Sequence, residues 1–153
     1  MKKTLCGFND ALGMAGGDML VVHGPTLFVD IGFDANFDPL KSALAPQLAA
    51  TKLWALVDTG ATESCIDEDL AQRLALPIVD RRKIGGSSGA HLVNMYLAHI
   101  HIPSLDFTLY GLFAGVGLTS GGQSHYALIG RTFLRSFIMR YNGLSGDVEL
   151  KIP

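Results

Sequence analysis

The sequence predicts one all-β domain, a barrel-like arrangement of about six to eight short strands with one or two short helices. Three observations lead to this prediction. Apolar runs of strand length alternate with glycine, proline and asparagine turn signals along most of the 153 residues. No long segment carries a helical period, and no internal repeat or heptad indicates a solenoid or coiled coil. With 48% hydrophobic residues, the chain is long enough for one core and short for two.

Composition excludes several classes of protein. The formal net charge is −2, so the chain lacks the basic surplus typical of nucleic-acid binding. Cys6 and Cys65 form neither a dense disulfide pattern nor a metal-ligand pair, which favours a reducing compartment. Lys2 and Lys3 resemble the start of an export signal, but polar residues and glycines interrupt the stretch that follows. We therefore expect a cytoplasmic protein that contacts neither nucleic acid nor membrane.

The first third of the chain divides into a tail, two strands and an insertion. Residues 1–18 are punctuated by glycine and predict a flexible N-terminal tail, so the folded domain is expected over residues 19–153. Apolar residues 19–22 and 26–33 predict two strands separated by a glycine-proline turn. Residues 34–52 are rich in alanine, contain two prolines and carry no clear period. We interpret them as an insertion.

A strand, a short helix and a hairpin are predicted next. Residues 53–57 form an apolar strand, and Asp67 is suited to cap a helix that ends before Pro77. Residues 78–84 and 91–102 flank a glycine-rich segment and predict a hairpin with a mobile tip. The remaining apolar runs predict strands over 105–118 and 127–130, a helical turn over 131–136, and a final hairpin of 137–141 and 147–152.

The chemistry is predicted at Asp58, which lies directly behind the apolar strand of residues 53–57. Peptide hydrolysis needs a base that activates water and an acid that polarises the carbonyl, and two carboxylates sharing one proton supply both. Thr59 and Gly60 would hold the carboxylate in a tight, rigid loop. The sequence contains this Asp-Thr-Gly motif once, so two chains are expected to meet to complete the pair.

These motifs, in this order, resemble the retropepsin-like aspartic proteases over roughly residues 19–151. Residues 56–61 resemble the catalytic loop of that family, with Asp58 as the catalytic residue and Thr59, Gly60 and Ala61 around it. The resemblance implies a homodimeric endopeptidase that cleaves peptide or protein substrates. It implies no metal and no organic cofactor.

Two further segments carry the resemblance. One resembles the substrate-binding flap and comprises Ile84, Gly85, Gly86, Ser87, Ser88 and Gly89. The other resembles the strand and helix start that support the catalytic loop and comprises Leu128, Ile129, Gly130 and Arg131. Val116 and Leu118 are expected to line the substrate pockets or the dimer seam, with a place in the core as the alternative. Together with Ile84 they are the candidate pocket walls, and their apolar character indicates apolar substrate side chains near the cut.

The chain departs from the retroviral pattern beside the loop. Thr62 occupies the position where an acidic residue usually pairs with the arginine, so we expect Glu63 to pair with Arg131 instead. Thr132 stands where Asn or Asp is usual. These departures suggest a cellular or bacterial relative. Because of them, the family's contacts with the substrate backbone beside the catalytic loop are not carried over to this chain.

Several alternatives remain open. The same fold can serve as a non-catalytic peptide-binding or dimerisation module, or can cleave another kind of bond. Residues 85–89 also match a serine nucleophile elbow centred on Ser87, but that motif needs a following helix and the next residues are strand-like. His99 and His101 share one face of a strand, where an exposed polar face is favoured over a metal site. For Cys65, a small core residue is favoured over a redox sensor.

Overall fold

The computed structural model describes residues 1–86 and 89–153 and confirms an all-β fold with a few short helices. The helices of this part of the chain are α1 (Gly16–His23), α2 (Glu68–Arg73) and α3 (Arg131–Leu134), with a 3₁₀ turn at Pro103–Leu105. The strands are β1 (Lys2–Leu5), β2 (Thr26–Gly32), β3 (Ala50–Val57), β4 (Cys65–Asp67), β5 (Ile78–Gly86), β6 (Gly89–Ile102), β7 (Phe107–Val116), β8 (Ala127–Ile129), β9 (Ile138–Asn142) and β10 (Asp147–Ile152).

The larger sheet closes on itself, as the barrel-like prediction required. Its order is β2-β3-β8-β4-β7-β6-β5, and an additional pairing of β2 with β6 joins its two sides. In that pairing Asp30 lies opposite His101 and Gly32 opposite His99. Strand β5 remains outside the closure and forms a long hairpin with β6. The closed strands enclose the main apolar core, and β5 is left as the edge strand of this sheet.

Parallel pairing inside this sheet brings two distant segments together. β3 and β8 run parallel, with Leu56 opposite Leu128 and Val57 opposite Ile129. β8 also pairs antiparallel with β4, which in turn runs parallel to β7. The carboxyl ends of β3 and β8 therefore lie side by side, so the residues that follow them, Asp58 and Gly130, become neighbours.

A smaller sheet is built from the two ends of the chain, in the order β1-β10-β9. In the structure β10 lies between β1 and β9 of its own chain, with Thr4 opposite Leu150 and Tyr141 opposite Val148. Residues 2–5, expected in a flexible tail, are thus a paired strand, because Val148 and Leu150 supply a buried face for them.

Residues 19–22, predicted as a strand, belong instead to helix α1. A run of four apolar residues does not by itself separate a strand from a helical turn. Contacts outside the run decide it: Asp10 Oδ1 accepts from the N–H of Gly16 at 2.7 Å, which holds the helix start. Gly24 has φ 67° and donates to the carbonyl oxygen of Leu20 at 2.9 Å, which ends the helix.

The insertion is irregular up to its last residues, which belong to β3. Asp34 organises it, since its carboxylate accepts from the N–H groups of Asn36 (3.0 Å) and Gln47 (2.8 Å). These hydrogen bonds, the one from Gln47 foremost, hold the pKa of Asp34 below its usual value. The insertion therefore folds back on itself through one side chain.

The prediction of an exposed polar face at His99 and His101 is wrong, because both side chains are buried, at 3% and 7% exposure. His99 stacks between Phe33 and Tyr110, with ring centroids 5.5 and 4.7 Å away. Its Nδ1 accepts from the N–H of Asp34 at 3.1 Å. Burial lowers the pKa of His99, which favours the neutral ring. His99 is buried by aromatic residues from outside β6. The alternation of residues along β6 itself does not predict these neighbours.

The helices of the described residues include none that is both long enough and apolar enough to cross a membrane.

Candidate active site

Asp58 is placed by the strand in front of it and the strand beside it. It follows β3 directly, and its N–H donates to the carbonyl oxygen of Ile129 at 2.9 Å. Val57 is buried and anchors the end of the strand. The carboxylate of Asp58 therefore projects from a rigid strand end, which is the placement that a catalytic side chain needs.

The loop after Asp58 is a tight turn closed by the aspartate itself. Asp58 Oδ1 accepts from the N–H of Gly60 at 2.9 Å, and its carbonyl oxygen accepts from the N–H of Ala61 at 3.3 Å. Asp58 is half-buried, whereas Thr59 and Gly60 are exposed. The outer side of the loop is thus open to a partner, while the inner side is held by the chain.

Arg131 stabilises this loop, but not through the residue that the sequence suggested. Its Nη1 donates to the carbonyl oxygen of Thr59 and its Nη2 to Thr62 Oγ1, each at 2.7 Å. The predicted pairing with Glu63 is wrong. The hydroxyl of Thr62 is directed at the guanidinium and takes the place of the expected carboxylate, so the contact is a hydrogen bond to a neutral acceptor.

Gly130 allows the loop and helix α3 to approach closely. A Cβ at this position would lie 2.6 Å from the carbonyl oxygen of Glu63 and 2.9 Å from that of Ala61, distances that real side chains do not adopt. The N–H of Arg131 donates to the carbonyl oxygen of Ala61 at 2.9 Å across the same gap. The glycine is therefore required by the close approach of these backbone atoms.

Ser64 and Thr132 hold the segment beside the loop by hydrogen bonds that the sequence analysis did not identify. Ser64 is fully buried, and its Oγ accepts from the N–H of Gly130 at 2.9 Å. The hydroxyls of Ser64 and Thr132 lie 2.9 Å apart, and Thr132 Oγ1 accepts from the N–H of Ser64 at 3.2 Å. The only signal in the sequence was a small polar residue directly before the apolar pair at 65–66. The unusual Thr132 is explained by its hydrogen bonds to Ser64.

The predicted hairpin is present as β5 and β6, with Ile84 opposite His91 and Gly86 opposite Gly89. A Cβ at Gly85 or at Gly89 would meet no atom of the described residues within 4 Å. Gly89 has φ 102°, a conformation that favours glycine. Ser87 and Ser88, the other two residues of the predicted flap tip, lie outside the described residues.

An apolar cluster lies along the segments that flank the loop and the hairpin. Its buried members are Cys65, Met95 and Ala114, and the partly buried residues packed on it are Ile84, Val93, Leu112, Val116 and Leu128. The cluster therefore joins the predicted flap to the predicted supporting strand through Ile84 and Leu128. Leu118, expected beside Val116, is buried in the chain at 3% exposure.

Cys65 behaves as a core residue, as the sequence favoured. Burial raises the pKa of its thiol to about 11, with smaller contributions from the charges of Glu63 and Asp58. The thiol therefore stays neutral and lacks the thiolate that a reactive cysteine needs.

Within residues 1–86 and 89–153, no group of three or more His, Cys, Asp or Glu side chains is arranged to hold a metal ion.

Comparison with known proteins identifies the family of the chain. Residues 47–133, more than half of the chain, match the family model described as aspartyl protease. The chain belongs to the aspartyl protease family. The matched segment contains the Asp58 loop, the β5–β6 hairpin and Arg131. The predicted family relationship is thereby confirmed.

Two solved structures are similar to the chain at low identity. The solution structure of the simian foamy virus (mac) protease has 15% identity and a TM-score of 0.46, covering 72% of this chain and 91% of the viral one. The EIAV protease, solved in complex with an inhibitor, has 19% identity and a TM-score of 0.45, covering 83% of this chain and 91% of that protein. Comparison with curated protein sequences gave no significant match.

Proposed function

We propose that this protein is an aspartic endopeptidase whose active site forms when two copies bring their Asp58 carboxylates together. The observation that carries the proposal is the Asp58 loop, a carboxylate at a strand end that is hydrogen-bonded to Gly60 and supported by Arg131. Membership of the aspartyl protease family supports the same assignment.

The proposed chemistry uses two carboxylates and one water molecule. One Asp58 removes a proton from the water as it attacks the peptide carbonyl, and the protonated partner donates to the carbonyl oxygen. The tetrahedral intermediate then collapses with proton transfer to the leaving amine. Each copy of the chain contributes one of the two carboxylates, and no cofactor takes part in the proposed steps.

The requirement for two copies follows from the motif count and the exposure of the loop. The sequence holds a single Asp-Thr-Gly, so a second carboxylate in the same setting must come from another chain. Thr59 and Gly60 are exposed, which leaves the loop surface free to meet its copy. In the proposed dimer the hydroxyl of Thr59 forms a hydrogen bond across the seam and locks the two loops.

The β5–β6 hairpin is proposed to cover the substrate. An extended peptide offers its backbone as the common handle, and a glycine-rich hairpin can approach that backbone closely while it excludes water. Ile84 at the hairpin and Val116 beyond it belong to one partly buried apolar cluster. Apolar substrate side chains are therefore expected on either side of the cut.

The substitution Asp58→Asn tests the catalytic role. It removes the acid-base function while keeping an acceptor for the N–H of Gly60, so the fold should be retained. We expect cleavage of a peptide library to fall by a factor of about 100 to 10,000 or more, with an unchanged circular dichroism spectrum. Asp69→Asn is the matched control, since Asp69 is an exposed carboxylate on α2, and it should cleave at the parental rate. Equal activity of the D58N variant and the parent would refute the assignment.

A mixing experiment tests the shared site. If subunits exchange and each active site needs two Asp58 residues, activity at constant total protein falls with the square of the wild-type fraction as the D58N protein is added. A linear decline would show that each chain works by itself. If the parent binds peptides without cleaving any of them, the chain is a peptide-binding module of the same family.

A further inference from the structure

Glu68, the first residue of helix α2, joins that helix to strand β6. Its Oε1 accepts hydrogen bonds from Tyr96 Oη (2.6 Å) and from Asn94 Nδ2 (3.3 Å), both on β6. Gln72 Nε2, one turn further along α2, donates to the same oxygen at 2.9 Å. Three donors therefore converge on one side of the carboxylate.

The other oxygen of this carboxylate is buried without a partner. Among the described residues, Glu68 Oε2 is the buried side-chain polar atom for which no hydrogen bond is found. It lies against Gly115 on β7, where a Cβ would overlap Oε2 and would come within 2.6 Å of the Tyr96 ring. Gly115 thus leaves the space that the carboxylate occupies. A buried acceptor without a donor is unfavourable. The hydrogen bonds that hold the carboxylate all go to its other oxygen, Oε1.

The position of Glu68 connects the two parts of the proposed active site. On one side it follows Asp67, which is buried and accepts from the N–H and hydroxyl of Thr119, each at 3.0 Å. Asp67 ends strand β4, and β4 pairs with β8 beside the Asp58 loop. This part of the chain is therefore rigidly attached to the loop.

On the other side, Glu68 contacts the base of the long hairpin. Across β5 and β6, Tyr96 lies opposite Ile78 and Asn94 opposite Arg81. The pair of Ile78 and Tyr96 lies at the end of the hairpin farthest from its glycine-rich tip, and the pair of Arg81 and Asn94 follows two positions closer to the tip. A contact at the base sets the angle at which the whole hairpin leaves the barrel.

We propose that Glu68 is a positioning residue: its hydrogen bond with Tyr96 holds the base of the β5–β6 hairpin, and loss of that bond lets the hairpin swing away from the Asp58 loop. The inference rests on the proposed function in so far as the hairpin covers substrate. We call this contact between Glu68 and Tyr96 the latch.

Two variants test the latch by different routes. Tyr96→Phe removes only the hydroxyl that donates to Glu68 and keeps the buried ring. Gly115→Ala leaves both polar groups in place, but its Cβ would press on the Glu68 carboxylate and on the Tyr96 ring, so their contact must shift. Thr4→Val is the control, since it removes a hydrogen bond of similar length, Thr4 to Ser104 at 2.7 Å, from the smaller sheet.

The first measurement is amide hydrogen exchange of residues 78–102 in the protein without substrate. We expect about tenfold faster exchange in Tyr96→Phe and in Gly115→Ala, and no change in Thr4→Val. Unchanged exchange in both variants, with thermal melts showing that they are folded, would overturn the latch. This readout needs no catalysis, so it decides the latch even if the protein proves to have no protease activity.

The second measurement is the kinetics of peptide cleavage. A displaced hairpin weakens the grip on substrate and leaves the carboxylates in place, so we expect KM to rise about tenfold while kcat stays within about twofold. A fall in kcat at constant KM, or no change in either constant despite faster exchange, would refute the positioning role. Absence of cleavage by the parent protein, in contrast, would be a failure of the proposed function.

Discussion

The guanidinium of Arg131 donates a 2.7 Å hydrogen bond to the carbonyl oxygen of Thr59, the residue that follows the proposed catalytic aspartate. The same group reaches Thr62 on the far side of the loop, also at 2.7 Å. One side chain on α3 therefore fixes both ends of a turn that lies 69 to 72 residues earlier in the chain. The shape of the Asp58 loop depends on a residue outside it.

Replacement of Arg131 by Met should loosen the loop without unfolding the domain. Arg131 is exposed, so the loss in stability should be small, about 1 kcal/mol, measured by urea denaturation. Peptide cleavage should fall by at least about tenfold because the loop carbonyl of Thr59 is no longer held. Arg135→Met is the matched control, since the Arg135 guanidinium has no hydrogen bond or ion pair within the described part of the chain. Equal activities of the two variants would contradict the role given to Arg131.

Gly130→Ala should be the more damaging change. The new Cβ would press on the carbonyl oxygens of Glu63 and Ala61, and backbone atoms cannot move aside as a flexible side chain would. We expect the free energy of unfolding to fall by about 1–3 kcal/mol. Gly85→Ala serves as the control because its Cβ would enter open space, and it should remain within about 0.5 kcal/mol of the parent. If both variants unfold at the parental urea concentration, the close approach at Gly130 is not a constraint.

Asp67→Ala should destabilise the domain through two losses at once. The carboxylate caps α2 by accepting from the N–H of Leu70 at 3.2 Å, and it accepts from the N–H of Thr119 at 3.0 Å. Removing it leaves buried donors unpaired, so we expect a loss of about 2–4 kcal/mol in thermal or urea unfolding. The exposed Asp69, changed to Ala, should cost at most about 1 kcal/mol. A difference between the two below the error of the measurement would disprove the double role of Asp67.

Both cysteines should resist alkylation in the folded protein. Burial raises the pKa of the Cys6 thiol from its ordinary value of 9.0 to about 12 and that of Cys65 to about 11. Iodoacetamide at pH 8 should label neither thiol in native protein and both in denaturant, as measured by intact mass. Rapid labelling of native Cys65 would show that the site is more open than its burial indicates.

The same pKa shifts predict how stability depends on pH. A raised thiol pKa means that the folded chain holds the proton more tightly than the unfolded chain does. The contribution to stability is therefore complete below pH 9 and is lost as pH rises through about 11 and 12. In a double Cys6→Ala, Cys65→Ala protein, the decline in unfolding free energy between pH 9 and 11 should be smaller. An identical slope in both proteins would count against this cause.

Much of the fold could be predicted because its signals are local. Asp67 caps α2 as expected, since the cap depends on residues within one helical turn. The Asn142 turn joins β9 to β10, and the glycine-rich segment separates β5 from β6, in both cases where turn residues interrupt apolar runs. Helix α1 was missed because its short apolar run suits either conformation, and Asp10 and Gly24 decided between them.

The site could be predicted only in part, for a related reason. The position of Asp58 behind an apolar strand was visible in the sequence. The partner of Arg131 was not, because Glu63 and Thr62 are equally near in sequence and only the turn geometry selects Thr62. Ser64 was missed because its partners at Gly130 and Thr132 lie 66 and 68 residues away.

What the sequence alone determined is therefore the set of short-range features: the all-β class, the aspartate at a strand end, the helix cap and the glycine turns. Each of these depends on the conformational preference of a few adjacent residues. The tertiary structure alone decided the burial of His99, the place of β10 between β1 and β9, and the convergence of Tyr96 and Asn94 on Glu68. These depend on strand register and on the closure of the barrel, which bring together residues that have no relation along the chain.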